Sequence, residues 1–383
     1  MRTSIKAWLV PVAAAAVVAG AVLWPGRAGA EPPLPPITAQ DLAANVAGAP
    51  AIAFSGTVSV TTDIGLPDLS PLTNLLGMQA ANWTSLLAGT TTVKVWVDPA
   101  AGARAEIDGA TSAYVAVANA TSKDAWIYSS ATNQATHLVA PAGDGSSRPP
   151  ADAVPTPQTV ANDALDALSP STEFAVSTNT IVAGRPAYTL TLTPRTAGSL
   201  IASVDLAVDA STWLPLAADV YSTQLPDNPA LRIAFTSISY ATPRASLFSF
   251  TAPDGATVTT MGSGSSGAAP SGQADRPGAG QPSAKVVAGE AWTAVVELSG
   301  LPADQTGALT DPAGPLDGYG HGGRHGNNST STVAGLVGQL AQQVPEGTAY
   351  STYLFSALVT PDGRVFAGAV PISDLQAAAR ANA

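Results

Sequence analysis

The sequence predicts an α+β fold built mainly from antiparallel sheet, with a large strand-rich region followed by a smaller α+β module. Three observations carry that expectation. Short segments of period-two alternation follow one another from about residue 51 to 250, stretches with helical spacing are few, and a Gly/Ser/Ala/Pro-rich interval separates a second, shorter set of alternating segments. In the first segment Ile52, Phe54, Val58 and Val60 point one way while Ser55, Thr57, Ser59 and Thr61 point the other. A sheet with one wet and one dry face needs that period. With few helices to cover it, the dry face must close on itself or hold something apolar, which points to binding rather than chemistry.

The chain opens with the pattern of an export signal. Arg2 and Lys6 precede an apolar run over 7–24, and Ala28-Gly29-Ala30 supplies a small-residue cleavage site before Glu31. Cleavage after Ala30 is expected; an uncleaved membrane anchor is the alternative, through a run that is short for a bilayer and interrupted by Pro11. Either way the chain is directed to the cell envelope or the outside. Cleavage removes three positive charges (Arg2, Lys6 and Arg27) and takes the net charge from −11 to −14. So acidic a chain disfavours nucleic acid and simple docking on anionic lipid heads. There is no cysteine, so disulfides and a lipid-modified amino-terminal cysteine are both excluded.

After a proline-rich lead, Thr38 with Asp41 three residues on marks a helix start, with Leu42 and Val46 on one face. The first strand covers 52–61. Residues 64–87 are rich in leucine and broken by Pro67, Pro71 and Gly77. Leu69, Leu72, Leu75, Leu76 and Trp83 are the candidate gate there, an apolar flap over a binding cleft; an insertion packed on the core is the other reading. Strands follow over 91–97, 104–107, 113–118, 125–128 and 136–139, then a polar loop and a helix over about 159–168. A second run occupies 173–177, 187–193, 203–208, 216–221 and 233–239.

Composition divides the chain into a signal over 1–30, a first domain over 38–258, a flexible linker over 261–284 and a module over 285–383. The module reads as a strand over 292–298, a Gly-rich loop, a helix over 333–344, and a hairpin of 350–360 with 364–370 about an Asp362-Gly363 turn. Ser373 is the expected cap of a last helix.

Catalytic constellations are wanting. The chain has three histidines, His137, His321 and His325, and no G-x-S-x-G elbow. Glycine-rich strings over 262–267 and 318–323 match the dinucleotide pattern but do not lie between a strand and a helix. His321 and His325 sit among glycines, where no helix holds them on one face for a metal. Asp205 and Asp209 alternate outward on one strand and read as solvated acids. No catalytic residue, metal or cofactor is therefore assigned, and a hydrolase ranks third among the readings.

One resemblance adds to this. Asp124-Ala-Trp126-Ile-Tyr128-Ser-Ser-Ala-Thr-Asn133-Gln-Ala-Thr136 resembles a recurring strand-turn-strand of the LolA-like lipoprotein carrier superfamily, to which the sigma-factor regulators MucB/RseB also belong. Gly184-Arg-Pro186-Ala-Tyr188-Thr-Leu190-Thr-Leu192-Thr-Pro194 and Val204-Asp205-Leu206-Ala-Val208-Asp209-Ala-Ser-Thr-Trp213-Leu-Pro215-Leu216 are similar to two further shared pieces, in the same order. The resemblance implies an open, curved antiparallel half-barrel wrapped around helices, with an apolar cavity for acyl chains. A carrier domain followed by a smaller module is similar to the MucB/RseB layout.

The expected function is that of an exported carrier, not an enzyme, that sequesters the acyl chains of a lipid or lipoprotein. The alternative is an envelope regulator that binds a membrane-protein (anti-sigma) partner. Ile52, Phe54, Val58, Val60, Val95, Trp126, Leu190, Leu192, Leu206 and Val208 are the candidate wall.

Overall fold

The computed structural model describes residues 34–65, 88–108, 113–139, 168–262, 283–300 and 341–382. The signal over 1–30, the gate residues Leu69, Leu72, Leu75, Leu76 and Trp83, residues 159–167 of the helix expected over 159–168, the body of the linker, and His321 and His325 lie outside the described residues.

Helix α1 spans Ala39–Gly48, and Thr38 caps it as expected: its Oγ1 accepts from the Asp41 amide at 3.1 Å and donates to Asp41 Oδ2 at 2.7 Å. Twelve strands form the first sheet. They are β1 (Phe54–Asp63), β2 (Ala88–Asp98), β3 (Gly102–Asp108), β4 (Ala113–Asn119), β5 (Asp124–Ser129) and β6 (Gln134–Val139), then β7 (Thr172–Val182), β8 (Arg185–Pro194), β9 (Ile201–Asp209), β10 (Pro215–Ser222), β11 (Leu225–Ser239) and β12 (Thr257–Gly262). Their order is β12-β6-β5-β4-β3-β2-β1-β11-β10-β9-β8-β7. Two antiparallel meanders, β2–β6 and β7–β11, are thus joined where β11 returns to pair with β1, and β12 adds in parallel beside β6. The sheet is open and strongly curved. Edge strand β7 comes back to touch β11, four places away, and Val182 shares a buried cluster with Phe235.

The pairing of β1 with β11 needs a glycine. A Cβ on Gly56 would lie 2.5 Å from the Ser237 carbonyl oxygen and 2.7 Å from the Phe235 ring, next to the bulge at Thr57/Val58. Gly56→Ala is expected to destabilise the chain by about 1–3 kcal/mol through overpacking, read as a lowered denaturant midpoint with unchanged m-value.

The second sheet has six antiparallel strands: β13 (Ser283–Ala288), β14 (Val295–Ser299), β15 (Ala341–Val344), β16 (Gly347–Ser351), β17 (Ser356–Val359) and β18 (Val365–Gly368), in the order β13-β14-β18-β17-β16-β15. Helix α2 (Ile372–Ala381) covers one face through Leu375, Ala378 and Ala379, against Val295, Leu358 and Phe366.

Several expectations for this module are corrected. Val344 does not end a helix but a strand, because Pro345 disfavours helical backbone at the residue before it and Pro345-Glu346 makes the turn from β15 to β16. The single strand expected over 350–360 is two, β16 and β17. It breaks at Thr352, whose Oγ1 accepts from the amides of Leu354 and Phe355 while its own amide donates to the Phe355 carbonyl at 2.8 Å. Helix α2 begins two residues earlier than expected, with Pro371 at the cap position in place of Ser373. Ser283 and Ala284, placed in the linker by composition, are in β13.

Candidate functional site

Cross-strand partners point to the same side of a sheet, so the register assigns each side chain to a face. Phe54, Val58 and Val60 of β1 stand opposite Val97, Val93 and Thr91 of β2, and Val95 lies opposite Gly56. The same face continues through Ala105, Ala116 and Ile127 on one side. On the other it runs through Ile233, Ala218, Leu206 and Leu190 to Val176. Over the strands paired in register this dry face carries no Asp, Glu, Lys, Arg or His. The opposite face holds Lys94, Arg104, Glu106, Asp124, His137, Asp205, Asp219 and Arg232.

The dry face is covered unevenly. Over β7–β9, Tyr188, Leu190, Leu192 and Val208 pack with Leu42 of α1 and with Trp292 of the second module, and Leu42 is fully buried. Over β3–β6 the side chains are small and reach solvent: Ala103, Ala116 and Ala118 are exposed, Ile127 is 38% exposed, and Ala105, Ile107, Ala125 and Leu138 are half-buried. Rows Val97–Ala103–Ala118–Ala125–Leu138 and Val95–Ala105–Ala116–Ile127 run across successive strands. Strand spacing of about 4.8 Å makes this an apolar floor roughly 14 Å across between β3 and β6.

The candidate wall residues separate accordingly. Phe54, Val58, Val60 and Val95 lie on the dry face in the central cluster, with Phe54 edge-on to Phe235 at 5.8 Å. Leu190, Leu192, Leu206 and Val208 share that face but pack under α1 and Trp292. Ile52 precedes β1 and is not on the sheet. Trp126 is a correction. It pairs with Val117, which pairs with Arg104, which pairs with Trp96, and so stands on the charged face. The sequence expectation failed because alternation fixes which residues share a face within a strand, not which face of a neighbouring strand they join.

Trp126 has other work. Its ring stacks on His137 at 4.0 Å and meets Phe250 at 5.5 Å. Here the chain from β11 crosses the charged face on its way to β12, held by Arg104 Nη1 donating to the Leu247 carbonyl and Asn119 Nδ2 donating to the Phe248 carbonyl. A cleft of about 210 Å³ lies between Trp126, Phe248, Phe250, Asn119 and Asp124. Ser122 and His137 both hydrogen-bond to Asp124 and together lower its carboxyl below the usual range. That order cannot activate a serine. The Ser122 proton is directed at the carboxylate, and His137 Nε2 faces the other oxygen of the same group at 2.8 Å.

Of Asp205 and Asp209, both expected to be solvated, the first is half-buried and the second buried. Asp209 is fully buried, paired with Arg185, and accepts from the amides of Ser211 and Thr212 at 2.8 Å. Burial pushes its carboxyl up, but the Arg185 hydrogen bond, the two amides and the guanidinium charge outweigh this and hold it below the ordinary value. Asp205 stands beside Asp219 across β9 and β10, and one oxygen of each is buried without a hydrogen-bond partner. Burial first, with Asp205 repelling it, raises the Asp219 carboxyl against the pull of Arg232. The sequence missed both because a strand face is polar by pattern whether or not water reaches it.

No family model matches the chain, and no curated protein sequence does. Among solved structures, the Pseudomonas aeruginosa MucA/MucB complex matches at 18% identity over 89% of this chain and 96% of that one, with a TM-score of 0.39. An uncharacterized conserved protein from Thermus thermophilus matches at 14% identity, 58% and 99% coverage and a TM-score of 0.33. A LolA superfamily protein from Nitrosomonas europaea matches at 12% identity, 56% and 99% coverage and a TM-score of 0.22.

Proposed function

We propose that this chain is an exported, non-enzymatic carrier that binds the acyl chains of a lipid or lipoprotein on the dry face of its curved sheet. The observation that supports this most is the exposed floor over β3–β6, where Ala103, Ala116, Ala118 and Ile127 meet solvent on a face without a charge. Single exposed apolar residues are ordinary, but a contiguous apolar patch marks a binding surface. An acyl chain laid on it gains about 0.8 kcal/mol for each methylene removed from water, and binding is what remains of that gain after the cost of association. Over β2–β6 the charged face, with the pair Lys94–Asp108 exposed, serves as the wet outer surface.

The test is native mass spectrometry of the protein purified from its own envelope, and again after incubation with palmitate. The expected spectrum carries an acyl-lipid adduct that palmitate exchanges. Recovery of ligand-free protein alone, with no uptake, overturns the carrier reading. Among the described residues no helix is long and apolar enough to cross a membrane. A second reading, binding of a membrane-protein partner, draws on the second module, whose Phe355 is left 48% exposed at the β16–β17 turn. A co-purifying protein in place of a lipid favours that reading.

A further inference from the structure

The second module inserts one large side chain into the dry face. Trp292 is 8% exposed and packs with Leu42, Tyr188, Leu190, Leu192 and Val208. Its Nε1 donates to Thr172 Oγ1 at 2.8 Å, satisfying the indole in the interior. The segment that presents it is built for the purpose. Gly289 has φ +66, and a Cβ there would lie 2.0 Å from the Thr293 carbonyl oxygen. Ala291 adopts φ 48, a left-handed conformation uncommon for a side-chain-bearing residue, and Glu290 and Thr293 cap the single 3-10 turn reciprocally. Strain of that kind persists only where the surrounding structure fixes it.

Other described hydrogen bonds between the modules are of a reversible sort. The Leu200 amide donates to the Ala369 carbonyl at 2.7 Å, Ser222 Oγ to the Tyr353 carbonyl at 2.6 Å, and the Tyr353 amide to the Ile64 carbonyl at 2.9 Å. Among the described residues no ion pair crosses the boundary. Each of these groups finds water as an equivalent partner on separation, whereas Trp292 leaves an apolar site that water fills poorly.

We infer that Trp292 is a removable stopper: docking of the second module closes the part of the β7–β9 dry face beside α1, and an acyl chain reaches that part only when the module lifts. This rests on the acyl-binding reading above. The dry face then has two compartments, the β3–β6 floor that the described residues leave open and a stretch beside α1 over β7–β9 that exchanges Trp292 for ligand. Any contact that holds the module on or pulls it off sets the load that the protein carries. Uptake is thereby coupled to whatever binds the module.

The experiment follows uptake of cis-parinaric acid by stopped-flow fluorescence. The natural chain is expected to fill in two phases, a fast one and one limited by undocking. Trp292→Ala is expected to lose the slow phase, its amplitude appearing about tenfold or more faster because the competent state is no longer a minor one. As a second variant that keeps Trp292, Ser199→Cys with Ala369→Cys, in a chain without other cysteines, is joined by a short bis-maleimide. Ser199 Oγ already contacts the Ala369 carbonyl at 3.3 Å. Joining is expected to abolish the slow phase and halve the probe bound, so this arm decides even if Trp292→Ala fails to fold. Identical uptake before and after joining overturns the stopper and leaves the open floor standing. No uptake by any of the proteins overturns the acyl-binding reading itself.

Discussion

Asp209→Ala is expected to destabilise the first sheet by about 3–5 kcal/mol, the range found when one partner of a buried ion pair is removed. Asp209 is fully buried, and it gathers Arg185 from β8, the Ser211 and Thr212 amides of the β9–β10 turn, and the Tyr240 hydroxyl at 3.2 Å beyond the end of β11. Alanine leaves two amides and a guanidinium without an acceptor, and each orphaned donor adds to the loss. Arg185 also lies 4.6 Å over the Tyr240 ring, so its displacement loosens the closure of β7–β8 toward β11. Chemical denaturation at neutral pH measures the loss; a change under about 1 kcal/mol would show that the knot is incidental. The same carboxylate has a pH signature. Its folded pKa is lowered, so its contribution is fully present above the unfolded value near 4 and is lost as pH falls through the folded one. The natural chain should therefore lose stability more steeply than Asp209→Ala below about pH 4, and the two should run parallel above about pH 5.

That network also marks where sequence reading stops. Most strands of the first sheet and the dry character of the alternating residues in β1, β2, β8 and β9 were legible, because period two is a local property. Thr38 and Leu42 were legible for the same reason. What was not legible depends on partners far away in the chain. Trp126 joined the wrong face because nothing local says that Ser55, Trp96, Arg104, Val117 and Trp126 form one row. Asp209 looked solvated because its arginine is 24 positions upstream. The exposed floor was passed over because its residues are alanines, whose small apolar surface is a weak signal until register sets five of them side by side. Trp292 was placed in a strand of a separate module, and its burial against Tyr188 comes from docking that no local pattern records.

The second large effect tests the floor directly. Ala116→Asp is expected to weaken acyl binding at least about tenfold while leaving the fold nearly as stable as before. Ala116 is exposed and stands between Ala105 and Ile127 in the middle of the floor. A carboxylate there stays hydrated in the free protein, so the stability change is expected within about 0.5 kcal/mol, as for surface sites generally. Once an acyl chain lies over it, that carboxylate is stripped of water with no base on the same face to pair with it, and the cost of an unpaired charge runs to several kcal/mol. Only about 1.4 kcal/mol of that is needed for a tenfold loss. Trp126→Phe, on the charged face, is the matched control and should bind palmitate as the natural chain does. If Ala116→Asp binds normally and Trp126→Phe does not, the ligand sits in the cleft beside Asp124 and Phe250, and the wet and dry faces have exchanged roles.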